Sequence, residues 1–389
     1  ELFNVELLRK TAYYAIANWF FWARENITPP PDAPLDADTK KPSLFLIRLL
    51  TRILFCWFLK ERRLPNGRPL VHEELFSEKH IRHLLHDASP TATTYYTAIL
   101  QNLFFATLNT EMDTPESPSN RRFARNSKDD HMVHTLWRHA EQLRSPDALA
   151  ALLRTIPFLN GGLFECLDER VQQGNSNFTR EIRADGFSSD PAKCPRIPNF
   201  LFFGPNQTAD LSAATGNSSQ TAVPVAPLLT ILNHYVFTVA ENTPLEEELA
   251  LDPDLLGNIF ENLLASYNPE TGTVARNATG SFYTPDYVVT WMVEQALRPT
   301  LSAVLPKSKD TKHEAKLTAL FSPDPEARPD FSKQETAALI NAIDNLKILD
   351  PACGSGAFPM GALHKLTHIL AKLDPENALW KQRQLDTAS

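Results

Sequence analysis

The stretch NLKILDPACGSGAFPMGALHKLTHILAKL, residues 345–373, constrains the fold more than any other part of the chain. NLKIL is read as a short buried strand. AFPMGALHKLTHILAKL is read as an amphipathic helix, with Phe358, Leu363, Leu366, Ile369 and Leu370 on or near one side. Gly354 and Gly356 then occupy a strand-to-helix turn. Such a turn lets backbone approach a ligand and aims free N–H groups at it from the positive end of the helix dipole. Pro359 is tolerated because the first helical turn has spare N–H groups.

Several ligands use glycine turns, and the residues here narrow the choice. A phosphate-gripping loop needs Lys and then Ser or Thr after its last glycine, but Gly361 is followed by Ala362 and Leu363. A dinucleotide fingerprint needs a third glycine where Pro359 stands. What remains is a turn preceded by Asp350, which can accept a hydrogen bond from a ligand amine. That suits a ligand with a cationic amino acid end, such as S-adenosylmethionine.

The 389 residues leave room for two or three domains. The net charge of −8 has the wrong sign for a nucleic-acid binder overall, so any phosphate contact falls to local patches. RRFARNSK, Arg121 to Lys128, is the first candidate and Arg62 with Arg63 the second; a solvated loop face is the ordinary reading of both. The four cysteines are far apart without a CxxC pair, and the 11 histidines show no HExxH spacing, so no metal site and no disulfide framework is expected. The default is a reducing, cytoplasmic setting without an export signal. SLFLIRLLTRILFCWFLKE, Ser43 to Glu61, imitates a membrane span, but Arg48 and Arg52 near its middle favour a buried helix. Four residues apart, they share a face and can leave the core or meet a carboxylate.

Helices are further expected over 2–26, 72–86, 94–109 and 130–154, and in APLLTILNHYVF and DPDLLGNIFENLLASY. Between them, 174–224 is polar and reads as loops and short strands. Gly161 and Gly162 are expected to supply a turn with positive φ. Pro31, Asp32, Asp38 and Lys40 imitate a nuclease constellation, but their segment has no strand-forming alternation.

LDPACGSGAF resembles the cofactor motif of the methyltransferases that act on adenine in DNA, and GSFYTPDYVVTWMV, Gly280 to Val293, resembles their upstream cofactor motif. RLLTRILFCWFLKERRL, PFLNGGLFE and LLGNIFENLLASYNPETG extend the likeness to the helical region of fused type IIG restriction-modification enzymes. The resemblance implies a mainly α N-terminal region, then the beginning of an α/β Rossmann-like S-adenosylmethionine-dependent methyltransferase domain whose sheet is incomplete. The corresponding divisions are a helical domain over 1–110, a helical and loop-rich continuation over 111–245, and the start of the methyltransferase domain over 246–389.

It also implies cofactor contacts from Tyr283, Thr284 and Pro285, and from Asp350, Ala352, Cys353, Gly354, Gly356 and Phe358. Thr284 can cap a helix that begins at Pro285, with Val288, Val289, Met292 and Val293 buried on one face. The implied partners are double-stranded DNA and a restriction nuclease domain or subunit, without a membrane; phage-defence methyltransferases lacking a nuclease are close neighbours. The Asn/Asp-Pro-Pro-Tyr/Phe tetrapeptide that directs methyl transfer to a flipped adenine is not in this sequence. No catalytic residue is therefore assigned, and the chain alone is expected to be inactive. The alternatives are a methyltransferase for RNA or protein, and a helical scaffold that positions DNA or a subunit.

Overall fold

The computed structural model describes residues 5–234 and 284–375, apart from 32, 34, 36–40, 65–66, 113–120, 126–131, 160–161, 173–178, 285, 306–310, 325–326, 352 and 354–355. The chain divides into two compact units, Glu1–Gly280 and Ser281–Ser389. The helix expected in DPDLLGNIFENLLASY, and the domain boundary expected at 246, lie outside the described residues.

In the first unit, helix α1 (Val5–Asn26) and helix α2 (Ser43–Glu61) contribute Ile16, Trp19, Phe20, Leu46, Leu50, Ile53 and Trp57 to an apolar core. That core draws on residues from both sides of position 110. Burial of α2 requires an answer for its arginines, and Asp185 supplies it. Arg52 donates to the Asp185 carboxylate at 2.8 Å and to the carbonyls of Leu163 and Glu165, while Arg48 lies 3.8 Å from the same carboxylate. Among the described residues, no helix is long and apolar enough to cross a membrane.

Downstream, the single helix expected over 72–86 is a 3-10 turn (Glu73–Leu75) followed by helix α3 (Glu78–Leu84). Residues 95–108 are helical but wound mostly as π turns, Tyr95–Leu100 and Phe104–Leu108. The extra residues this winding accommodates turn carbonyls toward side-chain donors: Trp137 Nε1 bonds Ala106, and Arg121 bonds Thr107 and Thr110.

Of the helix expected over 130–154, the described residues form a 3-10 turn, Ala140–Gln142, and then helix α4 (Pro146–Arg154), capped by Ser145. The preceding segment is held instead by a bridge from Phe123 to Trp137 and by a reciprocal pair in which the Arg138 amide donates to Asn102 Oδ1 and Asn102 Nδ2 donates to the Arg138 carbonyl, and His139 takes a left-handed φ of 61° that interrupts any helix. Gly162 does not have the positive φ expected of it; it opens a 3-10 turn, Gly162–Phe164, and Gly161 lies outside the described residues.

The polar region holds short strands. β1 (Asp168–Gln172) pairs antiparallel with β2 (Thr179–Arg183), Asp168 opposite Arg183. β3 (Gln207–Ala209) pairs antiparallel with β4 (Val223–Val225), and helix α5 (Leu228–His234) is the last described element of the first unit. Just after β2, the backbone amides of Asp185, Gly186 and Phe187 all donate to the Asp168 carboxylate. Gly186 must be glycine there. Its φ is +62°, and a Cβ would lie 2.6 Å from the Lys193 carbonyl and from Pro30.

The second unit is a helical cluster with its own core: α6 (Asp286–Ala303), α7 (Thr311–Phe321), α8 (Lys333–Asp344) and α9 (Ala357–Leu373), packed through Val289, Val293, Leu297, Leu301, Leu317, Leu339 and Ile369. Helix α8 starts with a reciprocal cap: Ser332 accepts from the Glu335 amide, and the Glu335 carboxylate accepts from the Ser332 amide. Segment 346–350 is not a strand. Ile348 is 53% exposed and Leu349 87%, because a parallel strand needs a neighbour for its backbone and a cover for its side chains, and the described residues of this unit offer neither. The Rossmann-like sheet is thus not formed by the described residues.

Candidate cofactor site

The end of α9 nearest the glycine turn is built by backbone geometry. Gly356 adopts φ +87°, a left-handed conformation that a side chain resists, and its amide donates to the Cys353 carbonyl at 2.7 Å. Its own carbonyl accepts from Met360, so α9 begins immediately after it. As a glycine, Gly356 brings no side chain to cap this start. The amides of Ala357 and Phe358 therefore have no acceptor within the helix, and Pro359 has no amide to satisfy. Among the described residues, a Cβ placed on Gly356 would meet nothing within 4 Å, so the left-handed φ and not crowding is what calls for glycine here.

Helix α6 runs beside α9 in the same direction. Gly361 lets Val289 pack directly on the α9 backbone, and Lys365, one turn further along, bonds Glu294 at 2.5 Å. Both contact positions advance together along the two helices, which fixes their parallel course. Thr284 precedes Val289 by five residues and Gly356 precedes Gly361 by five, so these two positions lie at the same end of the pair.

The nine expected cofactor contacts are distributed unevenly. Thr284 is half-buried, Asp350 and Gly356 are half-buried, and Cys353 is exposed. Phe358 packs against the second core instead of pointing freely into the turn. Tyr283, Pro285, Ala352 and Gly354 lie outside the described residues. Of the face expected on α6, Val289 and Val293 are buried, Val288 is half-buried and Met292 is 46% exposed. On α9, Leu363 is likewise exposed, while Leu366, Ile369 and Leu370 face the core. Gly361 was not among the expected site residues. A glycine inside a helical pattern was the available signal for close helix approach.

The basic patch proposed from RRFARNSK takes a different role at its first residue. Arg121 is 1% exposed and donates to the carbonyls of Thr107, Thr110, Leu153 and Ile156, so it ties the interior together and cannot reach a phosphate. Arg125 is exposed, as are Arg62 and Arg63.

A protein of the archaeon Methanocaldococcus jannaschii, provisionally named a type II restriction enzyme and methyltransferase, is 26% identical over 353 residues, 89% of this chain. The likeness is to a restriction-modification methyltransferase. The chain spans 22% of that relative's length. No protein-family model matches the sequence, and no solved structure matches it.

Proposed function

We propose that this chain is part of a site-specific DNA methyltransferase of the fused type IIG restriction-modification class, which moves a methyl group from S-adenosylmethionine to the exocyclic amine of adenine, and that α6 and α9 contribute part of its cofactor site. The observation that carries this reading is the shared end of the parallel helix pair, where Thr284 and a left-handed Gly356 mark the starts of the two helices that bear the two motifs. The relative's name supports the methyltransferase class. Adenine specificity rests on the sequence motifs.

The chain's own chemistry suits that cofactor. Gly356 carries no side chain to keep a ligand from the backbone, the Ala357 and Phe358 amides have no acceptor within α9 and can serve as donors, and Asp350 brings a carboxylate for an amine or hydroxyl. Tyr283, Thr284 and Pro285 are assigned the amino acid end, with Ala352, Cys353 and Gly354 completing the turn. S-adenosylmethionine, when bound, supplies an electrophilic methyl on its sulfonium. The residues here hold and orient it, and the acceptors that direct the adenine amine belong to sequence elsewhere in the protein. The exposed Ile348 and Leu349 fit the same reading, as the side chains of a strand that pairs in a larger sheet.

The test is equilibrium dialysis of labelled S-adenosylmethionine against the full-length protein that carries this chain. Asp350→Ala removes a charged acceptor worth about 1.5–3 kcal/mol, which corresponds to about 10- to 150-fold weaker binding. Gly356→Val, which forces a β-branched residue into the left-handed region, is expected to weaken binding at least as much. Failure of the unaltered protein to bind, or native affinity in both variants, would reject the assignment.

A further inference from the structure

Within the first unit, one histidine, one cysteine and one aspartate converge: His134, Cys166 and Asp168 each offer a ligand atom, and these atoms lie within 4.8 Å of one another. Cys166 and Asp168 are buried and His134 half-buried. The His134 Nε2 atom is shut off from water without a hydrogen-bond partner, a condition that costs about 1–3 kcal/mol unless something satisfies it. We propose that these three side chains form a site for a divalent transition-metal ion of the zinc class.

The donor set selects the ion. A thiolate and an imidazole disfavour magnesium and calcium, which take oxygen ligands, and suit zinc or cobalt. Three protein ligands leave a fourth tetrahedral position for water or another ligand. Asp168 is already oriented as a metal ligand's carboxylate needs to be. Its Oδ1 accepts from the Asp185 and Gly186 amides at 2.8 and 2.9 Å and its Oδ2 from Phe187 at 2.7 Å, which leaves one lone pair on Oδ2 and fixes the direction of the group.

Burial lowers the pKa of His134 and so favours the neutral, ligating imidazole; it also raises that of the Cys166 thiol, whose proton the ion displaces into bulk water on binding. Thiolate and carboxylate together balance the two charges of the ion. Of the flanking guanidiniums, Arg183 bonds Glu181 at 2.9 Å and lies 3.8 Å from Asp168 Oδ2, so that carboxylate would be shared between it and the ion, while Arg138 donates to the Val133 carbonyl and lies 3.8 Å from the Phe187 ring centroid.

Titration of the metal-free full chain with cobalt(II) tests the site, because a thiolate ligand gives a sulfur-to-cobalt charge-transfer band and tetrahedral geometry gives intense visible absorption. The unaltered chain should show both. Cys166→Ser should lose the charge-transfer band. His134→Gln should weaken binding by at least the about 10- to 100-fold typical of losing even an outer partner. Cys194→Ser, which removes the other buried cysteine close to a histidine, should leave the band in place.

Should the Cys166 or His134 variant fail to fold, X-ray absorption at the zinc edge of the unaltered, zinc-loaded protein decides alone. One sulfur at about 2.3 Å among nitrogen and oxygen ligands supports the site. A shell of nitrogen and oxygen only, no charge-transfer band in the unaltered chain, or a band lost with Cys194 and kept without Cys166, overturns it.

Discussion

Replacing Gly361 by alanine tests the helix contact on which the cofactor site depends. In a helix interior, alanine is favoured over glycine by about 0.8–1.0 kcal/mol, so a Gly361 facing solvent would make the variant more stable. Here the added methyl overlaps Val289 Cγ1 and lies 3.7 Å from Val289 Cβ and 3.8 Å from Val293 Cγ2, both residues being buried. Such overpacking costs about 1–3 kcal/mol. The net expectation is a change between about zero and 2 kcal/mol destabilising.

Truncating Val289 to alanine removes two buried methyls and costs about 2 kcal/mol, but it vacates the space the new methyl needs. In that background Gly361→Ala should stabilise by about 1 kcal/mol, a reversal of sign and a coupling of about 1–3 kcal/mol between the two positions. Hydrogen exchange read by mass spectrometry on peptides from α6 and α9 reports the local stability of each variant. The reasoning fails if Gly361→Ala stabilises both backgrounds equally, since the two helices would then not touch at this point.

Arg52→Met should destabilise the first unit by about 3–5 kcal/mol in urea unfolding, because the Asp185 carboxylate stays buried with the Leu167 amide and Arg48, 3.8 Å away, in partial compensation. His139 should give a pH dependence. Burial opposes its charge, but hydrogen bonds to Cys194 and to the Glu141 carboxylate outweigh burial and raise its pKa from 6.5 to about 9. Its contribution is therefore complete below about pH 6.5 and lost as pH rises through about 9, and Glu141→Gln should shrink that loss in unfolding measurements across the interval. Ser332→Ala should cost the second unit about 0.5–2 kcal/mol by removing the cap of α8, measurable as faster exchange in that helix.

Where local pattern and tertiary surroundings agree, the sequence already carried the structure. Helix α2 is the clearest case, since two arginines on one face of an apolar helix could only leave the core or meet a carboxylate, and Asp185 is that carboxylate. The start of α9 was equally readable, because glycine before a strongly apolar helix admits few backbone solutions. The misses have one physical cause: the partner was remote. Arg121 looked like a surface charge because nothing in RRFARNSK indicates the four carbonyls, up to 35 residues away, that its guanidinium satisfies. The segment ahead of Ser145 was expected to be helical, but around Trp137 and Arg138 it is held otherwise, by Phe123 and Asn102. NLKIL has strand composition, yet composition cannot provide the adjacent strand. The His134, Cys166 and Asp168 cluster was invisible because a histidine and a C-x-D pair over thirty residues apart form no recognisable spacing.

The wide winding of residues 95–108 decides which length changes that segment can absorb. Removing a single residue from a π turn lets the turn tighten to ordinary α geometry, so the deletion is taken up locally and the helix beyond it keeps nearly its original face. An added residue has no such outlet: every side chain beyond it would rotate by about 100° about the axis, and an insertion ahead of Phe104 would swing the buried Phe104 and Phe105 out of the interior. A one-residue deletion within a π turn should thus do less harm than a one-residue insertion in the same segment.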